Sequence, residues 1–293
     1  MIRYFCILII LQVCSSNILA QSPTFAGCDY SQGIVFLMKD NKIVWQHNAP
    51  ETNDIWMLPN GNILFTVGKG VLEMTQQNDT VFYYPTQSHV FACQRLSNGN
   101  TFIGECNAGR LLEVSPKGKI VKEVSILPEG TQDGGFGFMR NARQLPNGNY
   151  LVAHYGSQKV KEYNPQGKEV WSADVPGGPH SITRLPSGNT LVSVADMTQN
   201  PRIVELDKDG KCVWEFSNKD IPGAPLKFLG GIQVFPDGNI LFTNWTGHEK
   251  AENKTHLFLI TKKKEVLYTL KEYPGIETMS SVHIGKGSEN SYH

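Results

Sequence analysis

His180 stands five residues ahead of the phrase Leu185-Pro186-Ser187-Gly188-Asn189, and Arg140 stands five ahead of Leu145-Pro146-Asn147-Gly148-Asn149. The same offset from three sister phrases gives Asn53, Phe91 and Gly230, and neighbouring positions add Asp54, His89 and Asn141. The short apolar runs that follow the phrases end at Glu105, at His154-Tyr155, at Asp196 and at Asn244-Trp245, with Asp29-Tyr30 in the similar place near the start. These residue types make a coherent set. A guanidinium holds an anion with forked donors, and an imidazole takes and returns a proton near neutral pH or attacks as a nucleophile. The expected chemistry places an anion on Arg140 and makes His180 or His154 the acid, base or nucleophile, with Glu105 or Asp29 as partner carboxylate. His89, Asn53, Asp54, Asn141 and Asn244 would supply further ligand contacts, and Tyr155 and Trp245 flat faces for a sugar ring. Each of these residues taken singly also suits the polar, watered lining of an ordinary channel, so the expectation rests on the set. No His/Cys spacing suggests a metal.

The elements that must position them repeat. Leu58-Pro59-Asn60-Gly61-Asn62, Leu96-Ser97-Asn98-Gly99-Asn100 and Phe235-Pro236-Asp237-Gly238-Asn239 complete a series spaced by 38, 49, 40 and 50 residues. That is the period of propeller blades. Each phrase is a hairpin turn, Gly supplying positive φ and Asn, Asp or Ser a local side-chain hydrogen bond. Apolar, β-branched strands follow, such as the twice-used Asn-Ile-Leu-Phe-Thr at 62–66 and 239–243. A third strand and a second turn come next, and Lys-x-Val-Trp then opens a fourth strand at 42–45, 168–171 and 211–214. The pattern predicts four-stranded blades over 52–84, 88–125, 136–173, 179–216 and 229–271. Residues 24–46 hold only three strands, and 279–284 supply the missing innermost one. The expectation is an all-β, six-bladed propeller of antiparallel blades, a single domain over 21–293, its ring closed by the C-terminal strand. Residues 126–137 and 244–255 interrupt the rhythm as long loops. In such a ring the starts of the inner strands and the loops joining second to third strands share one face, the default ligand site.

Lys and Arg number 27 and so do Asp and Glu, which leaves no field for nucleic acid or an anionic membrane. No segment is apolar enough to span a bilayer. Arg3, an apolar run from Tyr4 to Val13 and Ala20 read as a signal peptide over 1–20, so the chain is expected to be periplasmic or secreted. Leu11-Gln12-Val13-Cys14 offers the alternative of a lipoprotein anchored through Cys14. Four cysteines remain after the leader: Cys28, Cys93, Cys106 and Cys212. Cys93 and Cys106 flank one hairpin and are candidates for a disulfide or for buried free thiols. Asn78, Asn244 and Asn253 head glycosylation sequons.

The Leu-Pro-x-Gly-Asn phrase with Gly-Lys-x-Val-Trp on the outer strand resembles the quinoprotein-like and arylsulfotransferase-like propellers, across nearly all of the mature chain. It is a signature of blade packing, so the Trp at 45, 171 and 214 are expected between blades. The quinone-dependent relatives carry a vicinal cysteine pair that this chain lacks, so no quinone cofactor is expected. The arylsulfotransferase resemblance implies that the His of a His-Asp dipeptide takes the sulfuryl group; His180 holds the matching position, with Ser181 in place of Asp. Three readings result. The first is an exported, monomeric module recognising a small polar molecule or glycan. The second is a lyase, hydrolase or group transferase acting on an anionic saccharide or aryl sulfate. The third is a protein-interaction scaffold that uses the rim and the loop 244–255.

Overall fold

The computed structural model describes residues 23–195, 200–247, 254–285 and 292–293. The expected leader with Arg3, Cys14 and Ala20 lies outside them, as do Asp196, His248 and Asn253. Strands β1 (Phe25–Asp29), β2 (Ile34–Lys39) and β3 (Lys42–Asn48) begin blade one. Blade two is β4 (Ile55–Met57), β5 (Ile63–Thr66), β6 (Gly70–Met74) and β7 (Thr80–Pro85); blade three is β8 (Val90–Arg95), β9 (Thr101–Glu105), β10 (Arg110–Val114) and β11 (Ile120–Ser125). Blade four is β12 (Asn141–Gln144), β13 (Tyr150–His154), β14 (Lys159–Tyr163) and β15 (Glu169–Asp174). Blade five is β16 (Gly178–Arg184), β17 (Thr190–Ala195), β18 (Arg202–Leu206) and β19 (Cys212–Ser217); blade six is β20 (Leu229–Val234), β21 (Ile240–Asn244), β22 (Thr255–Ile260) and β23 (Val266–Lys271). The last strand, β24 (Met279–His283), pairs with β1, Ala26 opposite His283, and completes blade one. Six four-stranded antiparallel sheets result, and the ring is closed as the repeat predicts.

The hairpin phrases fold as their residues dictate. In all five the first residue's N–H bonds the last residue's carbonyl, and the glycines at 61, 99, 148, 188 and 238 sit at φ of 84–88°. The final Asn has a second use, which explains why it recurs. Its Nδ2 donates to a glutamate on the third strand at 2.6 Å in four blades: Asn62–Glu73, Asn100–Glu113, Asn149–Glu162 and Asn189–Glu205. Three of those glutamates then grip a cation of the next blade, Arg95 on Glu73, Arg184 on Glu162 and Lys262 on Glu205. The outer tryptophans do similar work, Trp171 Nε1 donating to the Lys208 carbonyl and Trp214 Nε1 to that of Lys262. Trp45 reaches the Asn78 side chain of blade two.

The apolar core is divided into six clusters, one at each blade–blade interface. Phe91, Phe102, Tyr150 and Val152 join blades three and four, and Phe216, Ile232, Phe242 and Phe258 join five and six. Burial of these faces against one another, rather than any central core, holds the ring. The closing seam is tight. A Cβ on Gly230 would strike the Ser280 carbonyl oxygen, and one on Gly231 the Ser281 side chain. That close approach explains why blade six carries glycine at the offset where Arg140 and His180 stand in blades four and five.

Candidate functional site

Arg140 immediately precedes β12, and its N–H bonds the Ala153 carbonyl at 2.9 Å. The side chain leaves the inner strand among three rings, its Cζ 4.3 Å from the Phe136 centroid, 4.7 Å from Phe91 and 5.3 Å from Tyr155. Rings at these distances favour a cation but cannot neutralise it. Among the described residues no carboxylate pairs with Arg140, and its buried Nε has no partner. Burial lowers its pKa, opposed by Cys106, Tyr155 and Tyr30. The guanidinium forms part of the wall of a cavity of about 270 Å³ whose other lining residues are Tyr30, Asn53, Phe136, Tyr155, Phe228, Trp245 and Ser280. Phe228 and Trp245 meet edge to face at 5.2 Å on the side contributed by blade six.

Of the residues expected here, Asn53, Arg140, Tyr155 and Trp245 line this one cavity. His180 and His89 stand just behind it. His180 packs edge-on to Phe228 at 5.2 Å; burial, then the Arg140 charge, push its pKa down to about 3, and its buried Nδ1 is unpartnered. His89 touches Phe136 at 5.2 Å and has its Nε2 3.9 Å from the Glu51 carboxylate. Asn141, one residue past Arg140, is buried in β12 with its Oδ1 unpartnered.

The remaining expected residues are built into the scaffold. His154 Nδ1 donates to the Phe138 carbonyl and its Nε2 accepts from the Tyr163 hydroxyl, both at 2.8 Å, so both ring nitrogens are occupied. Burial pushes its pKa down to about 4, and it lines a separate groove with Lys161 and Tyr163. Glu105 is wholly buried, bonded by Arg110 and the Thr86 hydroxyl. Asp29 accepts the N–H groups of Glu277 and Thr278 and so anchors the run into β24. Asp54 takes a bidentate Arg143, at 2.7 and 3.0 Å, and the Cys93 N–H. Asn244 is fully buried between the Lys227 N–H and the Pro225 and Thr255 carbonyls, which also denies its sequon to a glycan in the folded chain. The expected set is therefore divided: Arg140, Asn53, Tyr155 and Trp245 line the cavity with His180 and His89 behind them, while His154, Asn244 and the carboxylates serve the scaffold.

Phe136, Phe228 and Ser280 are lining residues the offset rule did not find. Phe228 lies two residues before Gly230, on the same side of an extended chain, and Phe136 sits in the Gly-rich loop that breaks the repeat. Cys28, Cys93 and Cys106 are buried free thiols and Cys212 an exposed one. Among the described residues no group of three or more His, Cys, Asp or Glu is arranged to hold a metal, and no helix is long and apolar enough to cross a membrane. A larger depression, about 740 Å³, opens at the other mouth of the channel, but its arginines at 95, 143 and 184 are each spent on Glu73, Asp54 and Glu162.

The aromatic-caged arginine beside an unpartnered histidine directs attention to blades four and five. Residues 116–226 match the arylsulfotransferase family, Arylsulfotransferase (ASST). The arylsulfotransferase match runs from the turn before β11 to the loop before β20, and takes in both Arg140 and His180. No curated protein matches the sequence. Among solved structures, a protein of unknown function from Bacteroides caccae superposes with a TM-score of 0.79 at 21% identity, covering 89% of this chain and 98% of that one. A streptogramin B lyase gives 0.59 at 14% identity over 92% and 89% of the two chains. Virginiamycin B lyase from Staphylococcus aureus gives 0.55 at 14% over 89% and 87%. At such identities the likeness is one of fold.

Proposed function

We propose that this chain, exported from the cell, is a recognition module that binds a small ring-bearing organic anion, an acidic sugar or an aromatic acid, in the cavity beside Arg140. One observation carries the reading: a guanidinium buried among Phe91, Phe136 and Tyr155 with no carboxylate among the described residues to pair it. A scaffold cation would be neutralised locally, as Arg95, Arg143 and Arg184 are. An unneutralised cation in an aromatic pocket instead has its strongest partner in an incoming anion, and charge-assisted hydrogen bonds there are about twice as strong as neutral ones. Tyr155, Phe228 and Trp245 supply the faces against which a ring stacks. The volume of about 270 Å³ suits one or two rings. The reading requires neither metal nor quinone. The test is a melting-temperature screen of aryl carboxylates, aryl sulfates and uronates against the native protein and Arg140→Met. Stabilisation of the native protein alone supports the reading; equal response, or none from any anion, overturns it.

A second reading, group transfer, is favoured by the arylsulfotransferase match over 116–226 and by His180. Its low pKa keeps the imidazole neutral at pH 7, the form able to accept a sulfuryl group. Release of 4-nitrophenol from 4-nitrophenyl sulfate, lost on His180→Ala, would support transfer; ligand stabilisation without product would leave the module as a binder.

A further inference from the structure

Glu51 lies in the crossover from β3 to β4, where the repeat offers no reason for a carboxylate. Its backbone is left-handed, φ 58°, a conformation that strains a residue bearing a Cβ. Two bonds hold it there, from the Thr52 hydroxyl to the Ala49 carbonyl at 2.8 Å and from Asn53 Nδ2 to the Glu51 carbonyl at 2.9 Å. Gly68 leaves space for its side chain, since a Cβ there would crowd the Glu51 Oε2.

Glu51 is not itself a lining residue, but its contacts set it beside the wall of the Arg140 cavity. Going outward from the wall, Arg140 stacks on Phe136, Phe136 meets His89, and His89 Nε2 lies 3.9 Å from the Glu51 carboxylate, while the Glu51 backbone carbonyl accepts from Asn53 Nδ2. Phe136 and Asn53 both line the cavity. Tyr30, another lining residue, has its pKa raised by burial and then by Glu51, and opposed by Arg140, so its hydroxyl lies in the field of both charges. The Glu51 side chain is 53% exposed, and among the described residues its only ion-pair partner is His89, a cation only when protonated. The cavity therefore has a fixed cation in its wall, and a half-exposed carboxylate stands one residue outside its lining.

We propose that the pocket selects zwitterions, ring-bearing acids whose anionic group sits on Arg140 while an ammonium across the ring reaches Glu51. This rests on the anion-binding reading above and narrows it. A neutral substituent at that end of the ring would leave Glu51 to water, whereas an ammonium gains a half-exposed ion pair.

The isosteric probes 4-(aminomethyl)benzoate and 4-ethylbenzoate differ only by ammonium against methyl. Calorimetric titration at pH 8, where ordinary imidazoles are neutral, should show the native protein binding the aminomethyl probe roughly fivefold tighter, the upper range for an ion pair of this exposure. Glu51→Gln, checked for an unchanged melt, should bind both alike and still require Arg140. Equal affinities in the native protein, or a preference that survives Glu51→Gln, overturn zwitterion selection and leave anion binding standing. Binding of neither probe while other anions bind through Arg140 also overturns it. Failure of every anion removes the parent reading as well.

Discussion

Arg140 and Arg143 lie three residues apart at the start of one inner strand, and replacing each with methionine asks opposite questions of the fold. Arg143 is 4% exposed and bidentate on Asp54, itself 1% exposed. Arg143→Met leaves that carboxylate buried without its main counter-charge, a loss of about 3–5 kcal/mol for a broken buried pair. For a domain of this size about 2–4 °C accompanies each kcal/mol, so the melt should fall by roughly 6–20 °C. Arg140→Met loses three cation–ring contacts, each about 0.5–1 kcal/mol, but also relieves a guanidinium of its unpaired burial. The two effects oppose, and the melt should move by less than about 4 °C. Affinity for a ring-bearing anion behaves in reverse. Hydrogen bonds to a charged group contribute about 1.5–3 kcal/mol, so Arg140→Met should weaken binding roughly 10- to 150-fold. Scanning fluorimetry gives the melts and calorimetry the affinities. If Arg140→Met unfolds the protein as readily as Arg143→Met, the caged arginine is a structural strut and the functional argument fails.

Acid should destabilise the ring well before its carboxylates titrate. His180 and His154 have folded pKa values of about 3 and about 4 against 6.5 unfolded, so as pH falls below 6.5 the unfolded chain binds protons the native state refuses. Their combined loss reaches about 4 kcal/mol by pH 5, and His154→Gln should flatten the melting-temperature profile between pH 7 and 5; an unchanged slope contradicts the burial argument. Asp54 acts lower. Burial works against its ionisation, but Arg143 and His293 hold its pKa below the usual value of 3.8, so its contribution persists above that pH and disappears only beneath it. Gly230→Ala should cost about 1–3 kcal/mol by forcing β20 off β24, and an unaltered denaturant midpoint would show the closing seam to be looser than its geometry implies. Glu51→Gly relieves about 1–2 kcal/mol of backbone strain against about 0.5–1 of glycine entropy, so the protein should melt slightly higher while losing its preference for the aminomethyl probe. A lower melt would show that position 51 is not strained.

The architecture was legible because it is local chemistry repeated. A hairpin glycine, the Asx or Ser before it and the β-branched strand after it act within a few residues, so five copies announce five blades and the odd count at the ends announces closure. The offset from the phrase also found Arg140 and Asn53, because position along an inner strand sets height in the channel. What the offset could not reveal was partnership. Arg140 and Arg143 are indistinguishable as letters; Arg143 is neutralised by Asp54, 89 residues away in another blade, and Arg140 meets no carboxylate among the described residues. Glu105, Asp29 and His154 matched the expected functional types, yet Arg110, the Thr278 N–H and Tyr163 had already used their hydrogen-bonding capacity. Glu51 carried no signal at all, since its interest lies in a backbone angle and a neighbouring rim. Periodicity is written along the chain and determined the ring of blades; charge compensation depends on which blades face each other, and only the closed ring decided which arginine meets a carboxylate among the described residues.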